Sequence, residues 1–285
     1  MRRFFFVLIL IIVPMGVVWL FYLGSRVFNE TPAAAPPPPV GAMEDGAMPA
    51  LPINSGLRPA DPEEVKQYHE ELNEVLSPDR TQSVSLEKET DGLNYLKITD
   101  KKTGKIKKVG RLNLEDVVLI WGKPDDVFIV EKPSALLPAS AWAFNLKNKT
   151  LRSLVKNERG LTLIWSPQGQ SSLKFSEGRL FLIKDDGQTI ALPFITLPNK
   201  CAFLNENKFY CALPRDIPPR TILPDDYLKH RMVSRDEILA VSLEPAETKT
   251  IFSEAVPFDA FNLKIINGQL FFINRRDQRV YKIII

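Results

Sequence analysis

The chain of 285 residues contains only two cysteines and two histidines. That scarcity excludes multi-cysteine zinc modules and disulfide-dense small frameworks, whose folding depends on many such ligands or cross-links. Glycine is sparse as well, 14 residues against 23 prolines. No phosphate loop, nucleophile elbow, paired-histidine zinc signature or calcium loop occurs, so the residues point to no cofactor and no metal. Net charge is only +3, and Arg2 and Arg3 supply two of those charges, which leaves none of the basic excess of a nucleic-acid binder. What is abundant, 45% hydrophobic and 25% charged residues, is the composition of an ordinary globular domain with appendages.

The first appendage is apolar. Residues 4–24, FFFVLILIIVPMGVVWLFYLG, carry no charge, and at 1.5 Å per residue they extend ~31 Å, about one hydrocarbon thickness. Arg2 and Arg3 precede the run, so the positive-inside bias predicts a cytoplasmic tip at 1–3, a single transmembrane helix at 4–24 and an extracytoplasmic remainder. The alternative, a cleaved secretory signal, fits less well because its apolar region normally runs only ~7 to 15 residues. Residues 25–61 are rich in Pro and Ala and read as a disordered linker. After it, Asp61 can cap, Pro62 suits a first turn, and Val65, Tyr68, Leu72 and Val75 or Leu76 recur at helical spacing, which predicts a short amphipathic helix over 62–77. His69 lies beside that stripe and reads as a surface residue.

From residue 80 onward the pattern changes to short strands and turns. An element ending in an aromatic residue recurs at Trp121, Trp165, Phe203 and Phe261, at intervals of 44, 38 and 58 residues. The long interval contains RDIPPRTILPDDYLKHRMVSRDE, an insertion of about twenty residues by comparison with the ~40-residue repeats of propeller blades. A strand-turn-strand unit appears five times, with turns near Gly104, Lys149, Gly187, Glu247 and Gln278. Repeats of this kind bury their faces only against one another, so the fold class predicted is all-β, a propeller of about five blades over 80–285, or six if the helical segment hides another sheet.

Here a resemblance enters. LIWSPQG at 163–169 resembles the Trp-Ser-Pro-Asp-Gly repeat of TolB-like propellers, with Gln168 in place of Asp. The stretch from LPNKCAF through ILPDDYL to the terminal FFINRRDQRVYKI is similar to membrane-anchored bacterial β-propeller proteins with TolB-like, WD-like repeats. The resemblance implies a fold and an envelope location, and no activity.

Three groups of residues stand out beyond the fold. Cys201 and Cys211 flank a hairpin signal, and a loop at 205–207 with Asn207 in a left-handed conformation would set them face to face as a disulfide. The insertion holds Asp225, Asp226, Tyr227, His230 and Arg231, the first choice for a binding site because recognition residues concentrate on loops held by a rigid scaffold; the alternative is a loop that merely covers a propeller face. Lys97, Lys101, Lys102, Lys105, Lys107 and Lys108 in the first hairpin, and Arg275, Arg276 and Arg279 in the last, would merge into one basic patch if the first and last blades adjoin. Such a patch is either a pair of solvated outer strands or a contact for lipid headgroups or wall polymer. Trp121, Trp142 and Trp165 read as blade core in preference to a carbohydrate platform, and Leu136 and Leu137 lie on a strand-connecting loop.

These features predict a non-catalytic binding or scaffold module of the cell envelope. It would be anchored in the bilayer by 4–24 and have a protein or an anionic envelope polymer, not nucleic acid, as partner. The alternatives are a hydrolase-like enzyme using the central channel or the 214–236 loop, and a purely architectural component of an envelope assembly.

Overall fold

The computed structural model describes residues 56–253 and 257–285, so the predicted span at 4–24 and the linker up to residue 55 lie outside the described residues. Among the described residues, no helix is long and apolar enough to cross a membrane. The domain is a five-bladed β-propeller built from five four-stranded antiparallel sheets.

Blade 1 contains β2 (Val75–Leu76), β3 (Gln82–Lys88), β4 (Asn94–Asp100) and β5 (Ile106–Leu112). Blade 2 contains β6 (Val117–Lys123), β7 (Asp126–Glu131), β8 (Pro138–Asn145) and β9 (Leu151–Arg159). Blade 3 contains β10 (Thr162–Trp165), β11 (Ser171–Ser176), β12 (Arg179–Lys184) and β13 (Thr189–Ala191). Blade 4 contains β14 (Cys201–Asn205), β15 (Lys208–Pro214), β16 (Asp236–Leu243) and β17 (Ala246–Phe252). Blade 5 takes β18 (Ala260–Ile266), β19 (Gln269–Asn274) and β20 (Arg279–Ile284) from the end of the chain, and its outer strand is β1 (Leu57–Pro59) from the beginning.

The linker therefore does not run to residue 61. Leu57 pairs with Ile283 and Pro59 with Tyr281, and Leu57 is buried among Tyr281, Ile283 and Phe272. Leu57 alone among neighbouring polar and proline residues carries no period of its own, so only the vacant edge of β20 reveals that it is a strand. The same fact shifts the fifth repeat. The strand-turn-strand units of blades 1 to 4 are third and fourth strands, but FFINRRDQRVYKIII is β19 and β20, the second and third. Positive φ at Gly104, Lys149, Gly187 and Gln278 confirms four of the five expected turns, while the turn of blade 4 falls at 244–245, before Glu247.

Helix α1 (Pro62–Asn73) starts as the sequence predicts: the Asp61 side chain accepts the Glu64 N–H at 3.0 Å, and the Glu64 side chain accepts the Asp61 N–H at 2.9 Å. It ends four residues early. Glu74 is extended, and Val75 and Leu76 leave the helix to pair with Val84 and Ser83. Tyr68 is fully buried against Ile266, Phe271 and Val280, and its hydroxyl donates to the Asn262 carbonyl at 2.7 Å. The helix thus covers a face of blade 5, and its Glu64, Glu71 and Glu74 pair with Lys282, Arg80 and Lys101, which ties blade 5 to blade 1.

The second strands of blades 2 to 5, β7, β11, β15 and β19, are buried on both faces, because each blade lies between two others. Blade 1 differs. Along β4, Leu96 and Ile98 are buried and pack into the core shared with Trp121 and Ile129, whereas Tyr95, Lys97 and Thr99 between them are half-exposed. Trp121 is buried, and Trp165 stacks on Phe128 at 4.0 Å between blades 2 and 3. The LIWSPQG turn seats against blade 2. Gly169 has φ +70°, and a Cβ there would stand 2.4 Å from the Gly122 carbonyl oxygen.

Successive connections in an antiparallel meander alternate between the two ends of the sheet. One end of the propeller, the turn face, carries the tight first-to-second and third-to-fourth connections, such as 101–105 and 206–207. The other, the loop face, carries the second-to-third connections (89–93, 132–137, 177–178, 215–235 and 275–278) and the crossings between blades.

Candidate functional site

On the loop face, a short 3-10 turn at Pro198–Lys200 leads into β14 and points the Lys200 ammonium inward. Lys200 is 1% exposed. Its Nζ donates to Asp236 Oδ2 at 2.7 Å, Asp259 Oδ1 at 2.8 Å, the Tyr227 hydroxyl at 2.9 Å and Ser234 Oγ at 3.0 Å. Tyr227 and Ser234 belong to the long loop, Asp236 opens β16, and Asp259 ends the crossing into β18. Three segments therefore meet on one ammonium: the long loop, the start of β16 and the crossing into β18.

The network continues around Asp259, which also accepts the hydroxyls of Tyr227 and Ser234, each at 2.8 Å, and the Ser234 N–H at 3.0 Å. Asp236 Oδ2 accepts the Ala260 N–H at 2.7 Å. Arg275, also buried, lays its guanidinium 4.1 Å from the centre of the Tyr227 ring, with Nη1 3.8 Å from Asp259 Oδ2. Two cations thus balance two carboxylates.

Burial alone would lower the Lys200 pKa, but Asp236, Tyr227 and Asp259 outweigh it and hold the ammonium above its ordinary value. Burial likewise works against ionised Asp259, yet Lys200, Ser234 and Tyr227 keep its carboxyl below the usual range. Burial raises Asp236. Tyr227 is pushed up to about 12, chiefly by burial.

The five loop residues singled out from the sequence do not converge. Tyr227 points into the cluster, and Asp225 turns sideways: it accepts the Ala135 N–H at 2.6 Å and the Lys229 ammonium at 2.8 Å. Asp226 accepts the Ile222 N–H at 2.7 Å and lies 3.6 Å from Arg231. His230 and Arg231 are exposed. The reason is the short helix α2 (Asp225–Leu228), which sends successive side chains in different directions. Lys200, Asp236, Asp259 and Arg275 lie in four separate stretches of sequence; the first three show only a charge at an otherwise apolar strand entry, and Arg275 is one of several charges in the turn after β19.

The basic patch is corrected on three counts. Arg275 is buried under Tyr227, and Arg276 donates to the Ser234 carbonyl at 2.9 Å. Lys97 pairs with Glu87 and Glu89, Lys108 with Glu89, and Lys101 with Glu74. Most decisively, the 101–105 turn lies on the turn face and 275–278 on the loop face, so Lys101, Lys102 and Lys105 cannot merge with Arg275 and Arg276. Lys107 and Arg279 are exposed strand residues.

The cysteine expectation holds. Cys201 and Cys211 are register partners joined by a disulfide with a Cα–Cα distance of 4.1 Å. The hairpin differs in detail: a bulge at Leu204 absorbs one residue, the turn is 206–207, and Asn207 is not left-handed.

Among the described residues, no three His, Cys, Asp or Glu side chains form a set suited to a metal. No protein-family model matches the chain, and no curated protein matches it in sequence. Solved structures do match. An oligogalacturonate lyase in complex with manganese is similar at 13% identity and a TM-score of 0.50, over 74% of this chain and 64% of that one. TolB from Acinetobacter baumannii is similar at 10% identity and a TM-score of 0.42, over 73% of this chain and 52% of that one. An acylaminoacyl peptidase from Pyrococcus horikoshii gives 15% and 0.47, over 70% of this chain and 34% of that one. The shared feature is the β-propeller. The chain spans about half the length of the TolB structure and a third of the peptidase, and identities this low speak to fold alone.

Proposed function

We propose that the chain is a membrane-tethered, extracytoplasmic β-propeller acting as a non-catalytic binding module of the cell envelope, with its loop face as the binding surface. The observation that carries this reading is the clamping of the long loop. A connection of about twenty residues would ordinarily be mobile. Here Lys200, Asp236 and Asp259 hold it from beneath through Tyr227 and Ser234, and Asp225 holds the neighbouring 132–137 loop through Ala135.

The outward side of this platform combines apolar and basic groups. Leu136, Leu137 and Ile222 are 70%, 69% and 49% exposed, and Arg220, Lys229, His230 and Arg231 are exposed on the same long loop as Ile222. A pre-ordered surface of this mix suits an acidic or amphipathic partner, because the ordering cost of the loop is met before binding. The apolar run at 4–24 and the Cys201–Cys211 disulfide support export.

The test uses photo-crosslinking side chains placed at Leu136 or Ile222 of the full chain in intact cells, with Lys102 on the turn face as control. A discrete adduct from the two loop-face positions, absent from Lys102, is expected. Identical adduct patterns at all three positions, or none, would overturn the assignment. External protease tests the topology: cleavage in intact cells or wall-free protoplasts is expected, and full protection refutes it.

A further inference from the structure

The inner strand of blade 1 is incomplete. Strands β6, β10, β14 and β18 run four to seven residues, but helix α1 extends to Asn73 and leaves β2 only Val75 and Leu76. Strand β3 is seven residues long, and β2 pairs with just Ser83 and Val84.

The direction of the unpaired groups follows from the register. The Gln82 carbonyl accepts the Ser77 N–H at 2.9 Å and so faces β2, while the Thr81 carbonyl accepts the Lys101 N–H at 2.9 Å and faces β4. Alternation along an antiparallel strand then points the N–H and C=O groups of Val84, Leu86 and Lys88 toward the inner side. Val84 meets Val75, whereas Leu86 and Lys88 have no strand partner there among the described residues. Beside Leu86 lies a cavity of about 350 Å³ whose walls include Ser85 and Leu86 of β3, Val117 and Leu119 of β6, and Asn73 and Glu74 where the helix ends. Leu86, Val117 and Leu119 are partly buried against the core of blades 1 and 2, which makes one wall apolar.

We propose that this gap is a binding site for an extended peptide segment of a partner protein, which adds as a strand antiparallel to β3 and completes blade 1. The open backbone groups select a strand over any compact ligand, and the Val117–Leu119 wall selects an apolar side chain at alternate positions. Charged Glu87 and Lys88 at the open end discourage indiscriminate edge pairing. The site does not use the long loop, so its failure would leave the loop-face reading standing.

The experiment selects from a displayed library of random octapeptides on the purified full chain. It then measures the enriched sequences as synthetic peptides against wild type, Leu86→Pro and Leu86→Val. Proline removes only the inward N–H and leaves the β3–β4 ladder intact, whereas valine keeps that N–H. Expected are slowed amide exchange at Leu86 and Lys88, binding about tenfold weaker to Leu86→Pro and little changed for Leu86→Val. N-methylation of alternate peptide residues should give a similar loss without altering the protein at all. The proposal is overturned by no enrichment, by equal binding to Leu86→Pro, or by indifference to N-methylation. A peptide copying residues 40–55 is a further arm; if it protects Leu86 in place of the selected sequences, the edge is filled by this chain and the partner is not needed.

Discussion

Replacing Lys200 by Met retains most of the side-chain volume and removes the one charge on which three segments meet. The three N–H groups of the ammonium are shared among four acceptors, two of them carboxylates that are 0% exposed at the side chain. Without it, Asp236 and Asp259 face each other's charge in a buried site, with Arg275 3.8 Å from one of them as the remaining cation. Removing one partner of a buried pair costs about 3–5 kcal/mol, a large fraction of the 5–15 kcal/mol typical of a domain. Urea titration of the full chain should show a fall of that size. Limited proteolysis should open new sites within 215–235, because Tyr227 and Ser234 lose their anchor. Adding Asp236→Asn and Asp259→Asn to Lys200→Met should recover at least half of the loss, since the stranded charges disappear. A loss below about 1 kcal/mol for the single variant, or a triple variant worse than the single, would refute the view that the cluster anchors the loop.

The same cluster sets an alkaline limit. The Lys200 pKa is raised, so its contribution is fully present below 10.5 and lost as pH rises through the higher folded value. Tyr227, shifted up to about 12, adds loss in the same direction from pH 10 upward. Wild-type stability should therefore fall more steeply above pH 10 than that of Lys200→Met, and parallel curves would contradict it. Leu57→Ala should cost about 2–5 kcal/mol in chemical denaturation, because Leu57 is 2% exposed in the core of blade 5; an unchanged midpoint would return residues 57–59 to the linker. Reducing the Cys201–Cys211 bond should cost about 2–3 kcal/mol, since it closes a short loop, and equal thermal midpoints with and without reductant would deny the bond a stabilising role.

Wherever a structural signal is carried by neighbours in sequence, it was legible. Trp121, Trp165, Phe203 and Phe261 recur at blade spacing because each lies on the first strand of its blade, although Phe261 stands near the start of β18 and not at its end. The capping box at Asp61 and Glu64 lies within one helical turn, and Cys201 and Cys211 face each other across a short hairpin, the bulge at Leu204 lying between them and the turn. These features depend on local geometry, which the chain specifies wherever it is.

Ring closure belongs to the tertiary structure. Nothing in Leu57–Pro59 marks a strand until β20 offers an open edge, and this borrowed strand displaces the last repeat by one position. That displacement sends 101–105 and 275–278 to opposite faces, so two runs of the same charge stay apart. Lys200, Asp236, Asp259 and Arg275 read in sequence as scattered charges. Only the packing of blades 4 and 5 beneath the long loop makes each the neutralising partner of the others, because a charge taken from water must find its complement in space, whatever the distance along the chain.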